Sequence, residues 1–451
     1  MKALITISML LLFTCCSKSL LNESPSSQTT EPVTLGDFYA LLDNENVMDQ
    51  TPASIEASAD DYFFTDAYFD NILTIQQNTY LWAKDIYQGN TSITDWNSPY
   101  YQVLHCNVAL EGYNKYFEAD RQYEWQNLKA TALFKRSMAF YNLAQLFAPP
   151  FDSTTMVNQM GIPLRLTASA NEPIYRPSVQ ANYDRIIQDL QEAATLIKQP
   201  TPDTSRNRPC KAAVFAALSR VYLSMRNYHN ALRYADSSLL LYNRLIDYNT
   251  ISATSSSPFT VYNAENLYTS KIPSNYFQSI LPVIGQAYID TLLYNSYIPN
   301  NDVRKTLFFT TTDNKLYRRK NFYDGTAATL YTGFAVDEMY LVKSECLVRT
   351  GNTTEGINWL NQLLTTRYKK NTFTPYNPGN YSEALQIVLQ ERRKEMVMRG
   401  ARFTDLRRLN LEGYAISPRR HLHGITYLLS PNSNLYTLPL PPGLNLPQNP
   451  R

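Results

Sequence analysis

From Leu35 onward, apolar residues recur at three- and four-residue spacing, the signature of helices that each bury one face. The pattern predicts helices over 35–48, 60–90, 98–118, 124–147, 178–198, 210–226 and 229–242. Residues 211–242 (KAAVFAALSRVYLSMRNYHNALRYADSSLLLY) read as a helical hairpin. Ala216, Ala217, Ala231 and Ala235 are small enough for two helices to approach closely, and Asn227-Tyr228 is placed at the turn, Asn tolerating the left-handed conformation that closes a helix. Residues 337–367 repeat the arrangement with Gly351-Asn352 in that role, and Ala130 to Phe147 followed by 178–198 predicts a third hairpin with a long loop. One hairpin cannot bury its apolar face alone, so neighbours stack. A mostly α, tetratricopeptide-like fold follows.

Between the two clearer hairpins the period fades over 249–335. Six Ser or Thr fall between Thr250 and Phe259, and nine tyrosines follow within the region. Long irregular insertions in a rigid scaffold tend to carry function. The chain from Glu412 on is also loop-like and ends in a Leu-Pro-rich stretch, an expected extended segment.

The start of the chain has its own pattern. Lys2 precedes an apolar run from Ala3 to Thr14, the length of a signal-peptide core and too short to span a bilayer. The run stops at Cys15-Cys16, as a bacterial lipoprotein signal does, where the thiol is lipidated and becomes the new N-terminus. Leu12 stands three residues before Cys15, as such a site requires, but Thr14 fits poorly; Cys16 has Phe13 and Cys15 in those places. Several acyl chains anchor a protein stably. A Ser- and Thr-rich tether follows to residue 34.

Composition narrows the partners. Only 14 Gly among 451 residues favours a helical fold, while 34 Tyr supply rings with polar tips suited to packing and to wet surfaces. Lys plus Arg number 41 against 39 Asp plus Glu, so no field attracts nucleic acid. Cys106, Cys210 and Cys346 lie in apolar helical patterns without metal spacing and read as core. His421 and His423 lack a third ligand, so no metal or other cofactor is expected. There is no Gly-x-Ser-x-Gly elbow, phosphate loop or dinucleotide fingerprint.

Residues 389–410 (LQERRKEMVMRGARFTDLRRLN) resemble the C-terminal signature of the SusD/RagB family of outer-membrane nutrient-binding lipoproteins. The matching positions are Glu391, Arg392, Arg393, Glu395, Gly400, Arg402, Phe403, Asp405, Leu406, Arg407 and Arg408. Further family-like pieces follow in order: Cys16, Leu21, Asn22 and Pro25; Trp96 to Tyr100 ahead of Asn107; AFYNLAQLFAPPFD from Ala139; GIPL from Gly161; and Asn301-Asp302-x-Arg304. The resemblance favours Cys16 as the lipidated residue. It implies a right-handed superhelix of tetratricopeptide-like hairpins with an irregular, loop-rich second lobe that contacts ligand. It also implies a lipid-anchored place on the outer membrane, facing outward, and a TonB-dependent SusC/RagA-like barrel as partner. The chain then divides into a signal (1–16), tether (17–34), helical region (35–248), ligand-lobe insertion (249–335), hairpin with signature helix (336–411) and tail (412–451).

Glu391 and Glu395 lie one helical turn apart, superficially a catalytic pair. Their Arg-rich setting argues otherwise, because guanidinium forks keep carboxylates ionised and a general acid must hold a proton. Glu391, Arg392, Glu395, Arg402, Asp405 and Arg407 are therefore expected to form a structural ion-pair lattice joining the signature helix to the scaffold, and no enzyme is expected. For ligand the candidates are Trp82, Tyr87, Asp61, Tyr276, Tyr288 and Tyr323, nominated by placement near loops; Trp96, Trp125 and Trp359 read as packing. The expected ligand is an oligosaccharide, whose C–H faces stack on rings, with oligopeptide as the alternative and a periplasmic protein-binding scaffold behind both.

Overall fold

Ten helices of eight or more residues carry the apolar stripes, among the described residues of a computed structural model. It describes residues 31–448 except 274–276, 282–284, 313–314, 321–322 and 327. In chain order the helices are α1 (Leu35–Leu42), α2 (Thr94–Tyr116), α3 (Gln122–Phe147), α4 (Val179–Leu196), α5 (Lys211–Ser224), α6 (Tyr228–Leu241), α7 (Val336–Arg349), α8 (Thr353–Thr365), α9 (Tyr381–Glu395) and α10 (Arg402–Asn410). The proposed signal and tether, with Cys15 and Cys16, lie outside the described residues, apart from the tether's last four.

Each helix packs on the next from α1 through α8, and α9 closes on α7 and α8. The stack runs straight through the insertion: α6 lies directly against α7 although residues 249–335 separate them. The scaffold is thus one continuous pile of hairpins from which the second lobe leaves and to which it returns. The α3–α4 pairing supplies the third hairpin read from the sequence.

Two hairpins show their kinship atom by atom. Ser219 Oγ donates across the pair to the Ala231 carbonyl at 2.9 Å, and Ser344 Oγ to the Gly356 carbonyl at 2.7 Å, both spanning 12 residues. The left-handed turn residue is Gly351 (φ +94°) in the second hairpin and Arg226 (φ +61°) in the first. Asn227 therefore does not take the left-handed position expected for it; its side chain instead accepts from the Asn230 N–H and caps α6. Placing Arg where glycine is preferred costs strain that the packed alanine faces offset.

Helix is lost where the periodicity predicted it over 60–90. That stretch holds only Asp66–Phe69 and Thr74–Tyr80 as helix, with a two-residue strand, Tyr62–Phe63, before them. Trp82 and Gln88 sit at positive φ, which interrupts any regular helix. Packing of its rings overrides local propensity here. The strands are short two-stranded ladders, and most of them knit the second lobe: Tyr62–Phe63 pairs antiparallel with Tyr288–Ile289, Asn266–Tyr268 with Phe334–Ala335, and Phe309–Thr311 with Tyr317–Arg319. The tail contributes one hairpin, Arg419–Leu422 with Ile425–Leu428, turning through His423 and Gly424 at positive φ.

α1 docks through Phe38, whose ring occupies the space a side chain at Gly112 of α2 would need; an added Cβ would lie 2.1 Å from it. Gly112→Ala should therefore lower the thermal midpoint by several degrees, the overpacking penalty being about 1–3 kcal/mol. Calorimetry showing an unchanged midpoint would contradict this docking.

Candidate functional site

The signature helix α9 and α10 bring their charges inward. Arg304 has no exposed surface and donates to Asp302 (2.8 Å), Glu391 (2.6 Å) and Glu395 (3.0 Å). Glu395 also accepts from Arg367 (2.6 Å), which reaches Glu265 of the second lobe (2.7 Å). Lys394 completes the group on Glu391 and Asp302. A second knot joins Arg392 to Asp405 (2.9 Å) and Arg408 to Glu345 on α7 (2.6 Å). A third ties Arg402 to Asp60 (2.6 Å) and Arg393 to Asp61 (3.2 Å). Arg407, expected in this lattice, stands outside it. It pairs with no carboxylate among the described residues and donates to the Gln145 and Ala148 carbonyls at the end of α3.

These contacts decide the protonation states. Burial alone would raise the Glu395 carboxyl, but Arg367 and then Arg304 outweigh it and hold it below the ordinary range. Asp302, Glu338, Glu345 and Asp405 are likewise held low by their guanidinium partners against burial. Glu56 behaves oppositely: burial, reinforced by Asp61, pushes it up to about 8. It has no exposed surface and accepts from the Gly400 N–H, so no substrate reaches this protonated carboxyl.

The ring candidates are largely internal. The Trp82 indole N–H donates to the Ser58 carbonyl at 3.0 Å, and its ring joins Tyr62 and Tyr80 in a cage around the Arg420 guanidinium. That cage clamps the C-terminal hairpin to the 60–90 segment, and Arg420 adds a 2.7 Å bond to the Tyr62 carbonyl. Tyr87 is buried with its hydroxyl on the Pro439 carbonyl. Asp61 is buried against Arg393, and Tyr323 is buried with its hydroxyl on Glu265. Tyr288 is only 6% exposed. Burial therefore gives all five of these side chains framework contacts in place of the exposed faces expected of them, and Tyr276 lies outside the described residues. Trp96 and Trp125 are buried, and Trp359 is half-buried under Lys343.

The surface that remains is built beside Tyr288. In the two-residue ladder, Tyr62 points inward, so Phe63 faces the other way, directly opposite Tyr288, their ring centroids 5.7 Å apart. Tyr68, half-buried, follows on the short helix capped by Thr65. Burial raises its hydroxyl, against a hydrogen bond from the Gln286 backbone and the nearby Arg318 charge. Arg318 donates to the Gly285 carbonyl at 3.1 Å, while its buried Nε–H has no partner among the described residues. The neighbouring Tyr317 stacks on Tyr294 with centroids 3.5 Å apart. The tail hairpin braces the Tyr68 helix, because the His423 N–H donates to Asp66 and its Nε2 lies 2.9 Å from Asp70. Two aromatic rings and a partly unpartnered guanidinium thus line a shelf where the N-terminal segment meets the second lobe. Sequence reasoning missed Phe63, Tyr68 and Arg318, because nothing local distinguishes them from the buried rings beside them.

A groove of about 450 Å³ along α2 is the main competitor, lined by Tyr101, Leu104, Pro163, Ile174, Leu444 and Leu446 among others. Its walls are mostly aliphatic, and several of its polar groups are already used. Tyr100 donates to the Pro163 carbonyl, Asn107 to the Arg165 and Thr167 carbonyls, and Arg165 to Glu172. It offers a hydroxylated ligand few free hydrogen bonds.

Among the described residues no cluster of three His, Cys, Asp or Glu could hold a metal ion, and no helix is long and apolar enough to cross a membrane.

Stacked helical hairpins bearing an irregular lobe with an aromatic shelf define a helical-repeat protein with a grafted surface. The family described as SusD-like, starch-binding and associating with the outer membrane matches residues 20–223, and the SusD family matches residues 335–436. Together they span about two thirds of the sequence. The chain belongs to the SusD/RagB family. Solved structures share its fold over nearly its whole length. A Bacteroides vulgatus protein superposes with a TM-score of 0.76 at 20% identity, covering 94% of this chain and 99% of that one. A SusD superfamily protein from Bacteroides thetaiotaomicron gives 0.75 at 18% identity, covering 93% and 100%. A laminarin-binding SusD-like protein gives 0.64 at 15% identity, covering 94% and 100%. A comparison with curated protein sequences gives no match.

Two predictions follow from the charges. Glu395→Ala leaves the buried Arg304 and Arg367 short of an anion and should cost about 3–5 kcal/mol, read as lost folded yield; normal stability with altered ligand affinity would refute the structural role. The depressed carboxylates stabilise the fold above their unfolded pKa, about 4, and that contribution is lost on acidification below it. Glu56 has the opposite sign: its contribution is full below its unfolded pKa and lost as pH rises toward 8. Thermal midpoints should fall below about pH 4 and also sag between pH 5 and 8; Glu56→Gln should shrink the second decline and leave the first, the remainder coming from Glu265, which burial pushes up to about 7.

Proposed function

We propose that this is an outer-membrane binding protein that captures a neutral oligosaccharide on the Phe63–Tyr68–Arg318 shelf and passes it to a TonB-dependent barrel. Binding without turnover is part of the reading. The observation that carries it is the combination of half-buried rings with the half-buried Arg318 guanidinium, which forms no ion pair among the described residues and holds only the Gly285 carbonyl. Sugar rings present C–H faces that stack on aromatic faces, and adjacent hydroxyls match the fork of an arginine. The carboxylates that could serve as acid and base are locked in ion pairs or sealed from solvent. The starch-binding description of the matching family and the laminarin-binding structural neighbour support a glycan as the ligand class.

The same reading includes lipidation at Cys16, with Cys15 as the alternative, outward display, and a SusC/RagA-like barrel as partner. The apolar run ending at the cysteines and the family membership support it. The continuous hairpin stack would move as one body over the barrel, with residues 17–34 as the leash.

Calorimetric titration of the purified protein with glycan and oligopeptide panels tests the ligand class. Saturable binding of a glycan is expected, weakened about tenfold or more by Tyr68→Ala and by Arg318→Ala, which is at least about 1.4 kcal/mol each, with the thermal midpoint unchanged. Saturable peptide binding with no glycan binding would overturn the reading.

A further inference from the structure

Arg407 is 97% buried by its 3% exposure, yet no carboxylate lies within ion-pair distance of it among the described residues. Its two terminal nitrogens donate to Gln145 and Ala148, but its Nε–H has no acceptor. Burial without an anion pushes its pKa down to about 10, the reverse of what ion pairing does for Arg408 next to it. Among the described residues its charge is met only by oxygens at the C-terminal end of α3, a partial compensation that leaves a buried cation without a carboxylate. This guanidinium lines a pocket of about 390 Å³, separate from the aromatic shelf.

The rest of the pocket is rich in neutral hydrogen-bonding groups. Asn158, Gln159, Asn432 and Asn434 stand around it, above the buried Asn410 and Tyr436. The Gln159 side-chain amide oxygen is buried without a donor, and the Asn158 and Asn434 side-chain amides make no hydrogen bond among the described residues. Asp152, the one acidic residue lining the pocket, lies 3.8 Å from Arg226, so its charge is partly compensated. The pocket therefore combines one cation without a carboxylate partner at depth with the two free carboxamides of Asn158 and Asn434 at the rim, Asn432 being held by the Asn410 carbonyl.

We propose that this pocket is a second ligand site, taking an acidic saccharide whose carboxylate sits against Arg407 and whose hydroxyls meet the carboxamide rim. A carboxylate accepts from guanidinium N–H groups in one plane, and asparagine amides offer both a donor and an acceptor to sugar hydroxyls. The volume accommodates one or two sugar rings.

Titration calorimetry of the purified protein with galacturonate, galactose and inorganic sulfate tests this. Galacturonate should bind at least tenfold more tightly than galactose, and more tightly than sulfate. Asn434→Asp, which sets a negative charge on the rim and removes no framework bond, should weaken galacturonate at least tenfold and leave the thermal midpoint unchanged. Arg407→Lys, if folded, should weaken it as well; the Asn434 variant keeps the test valid if it is not. Equal binding of galactose and galacturonate, sulfate binding as tightly as galacturonate, no binding of galacturonate, or galacturonate affinity unchanged in Asn434→Asp would each overturn the proposal.

Discussion

Arg304 and Arg367 have no water to solvate them, so the fold exists only in the arrangement that delivers carboxylates to both. Those carboxylates come from distant parts of the chain: Glu391 and Glu395 from α9, Asp302 from beside Arg304, and Glu265 from the start of the second lobe. A buried pair stabilises little in net terms, but breaking one leaves an uncompensated charge, which is severe. The lattice therefore acts as a registration device. It admits one docking of lobe on scaffold and penalises the others.

That constraint explains the continuity of the hairpin stack. Helical repeats stabilise by nearest-neighbour contact, so an insertion between α6 and α7 would ordinarily interrupt the pile. Here α6 still meets α7, because residues 249–335 are fastened to the same ionic centre that holds α9. The 60–90 segment is fastened similarly, through Asp60 and Asp61 to Arg402 and Arg393, and through the aromatic cage on Arg420. With both segments fixed, Phe63 and Tyr288 face each other across two residues of strand. Rigid anchoring of short irregular pieces is what lets loops carry a binding surface without an entropic penalty on binding.

Much of the scaffold was legible because helical period is a local property. The hairpin at 211–242 showed in its alanine and turn positions and that at 337–367 in its Gly351-Asn352 turn, though in the first hairpin not which turn residue takes positive φ: Arg226 does, and Asn227 caps instead. The Arg and Glu of 389–410 were legible as an ionic cluster, but Arg304, Arg367 and Glu265 are long-range partners that only the fold brings in, and Arg407 is excluded from it for the same reason. The shelf was least legible. A strand of two residues gives no alternation to read, so Tyr62 and Phe63 are indistinguishable until one is seen to point inward. Trp82 and Tyr87, chosen for their nearness to a loop, turned out to hold the tail in place.

The proposed division of labour is that charges inside fix the lobe and the rings at its rim meet the ligand. Amide hydrogen exchange with and without a bound glycan examines this directly. Added protection should concentrate at Phe63 to Phe69, 285–289 and 317–319, with the α9 and α10 amides equally protected in both states. Protection appearing instead along the α2 groove from Trp96 to Leu104, with the shelf unchanged, would contradict it.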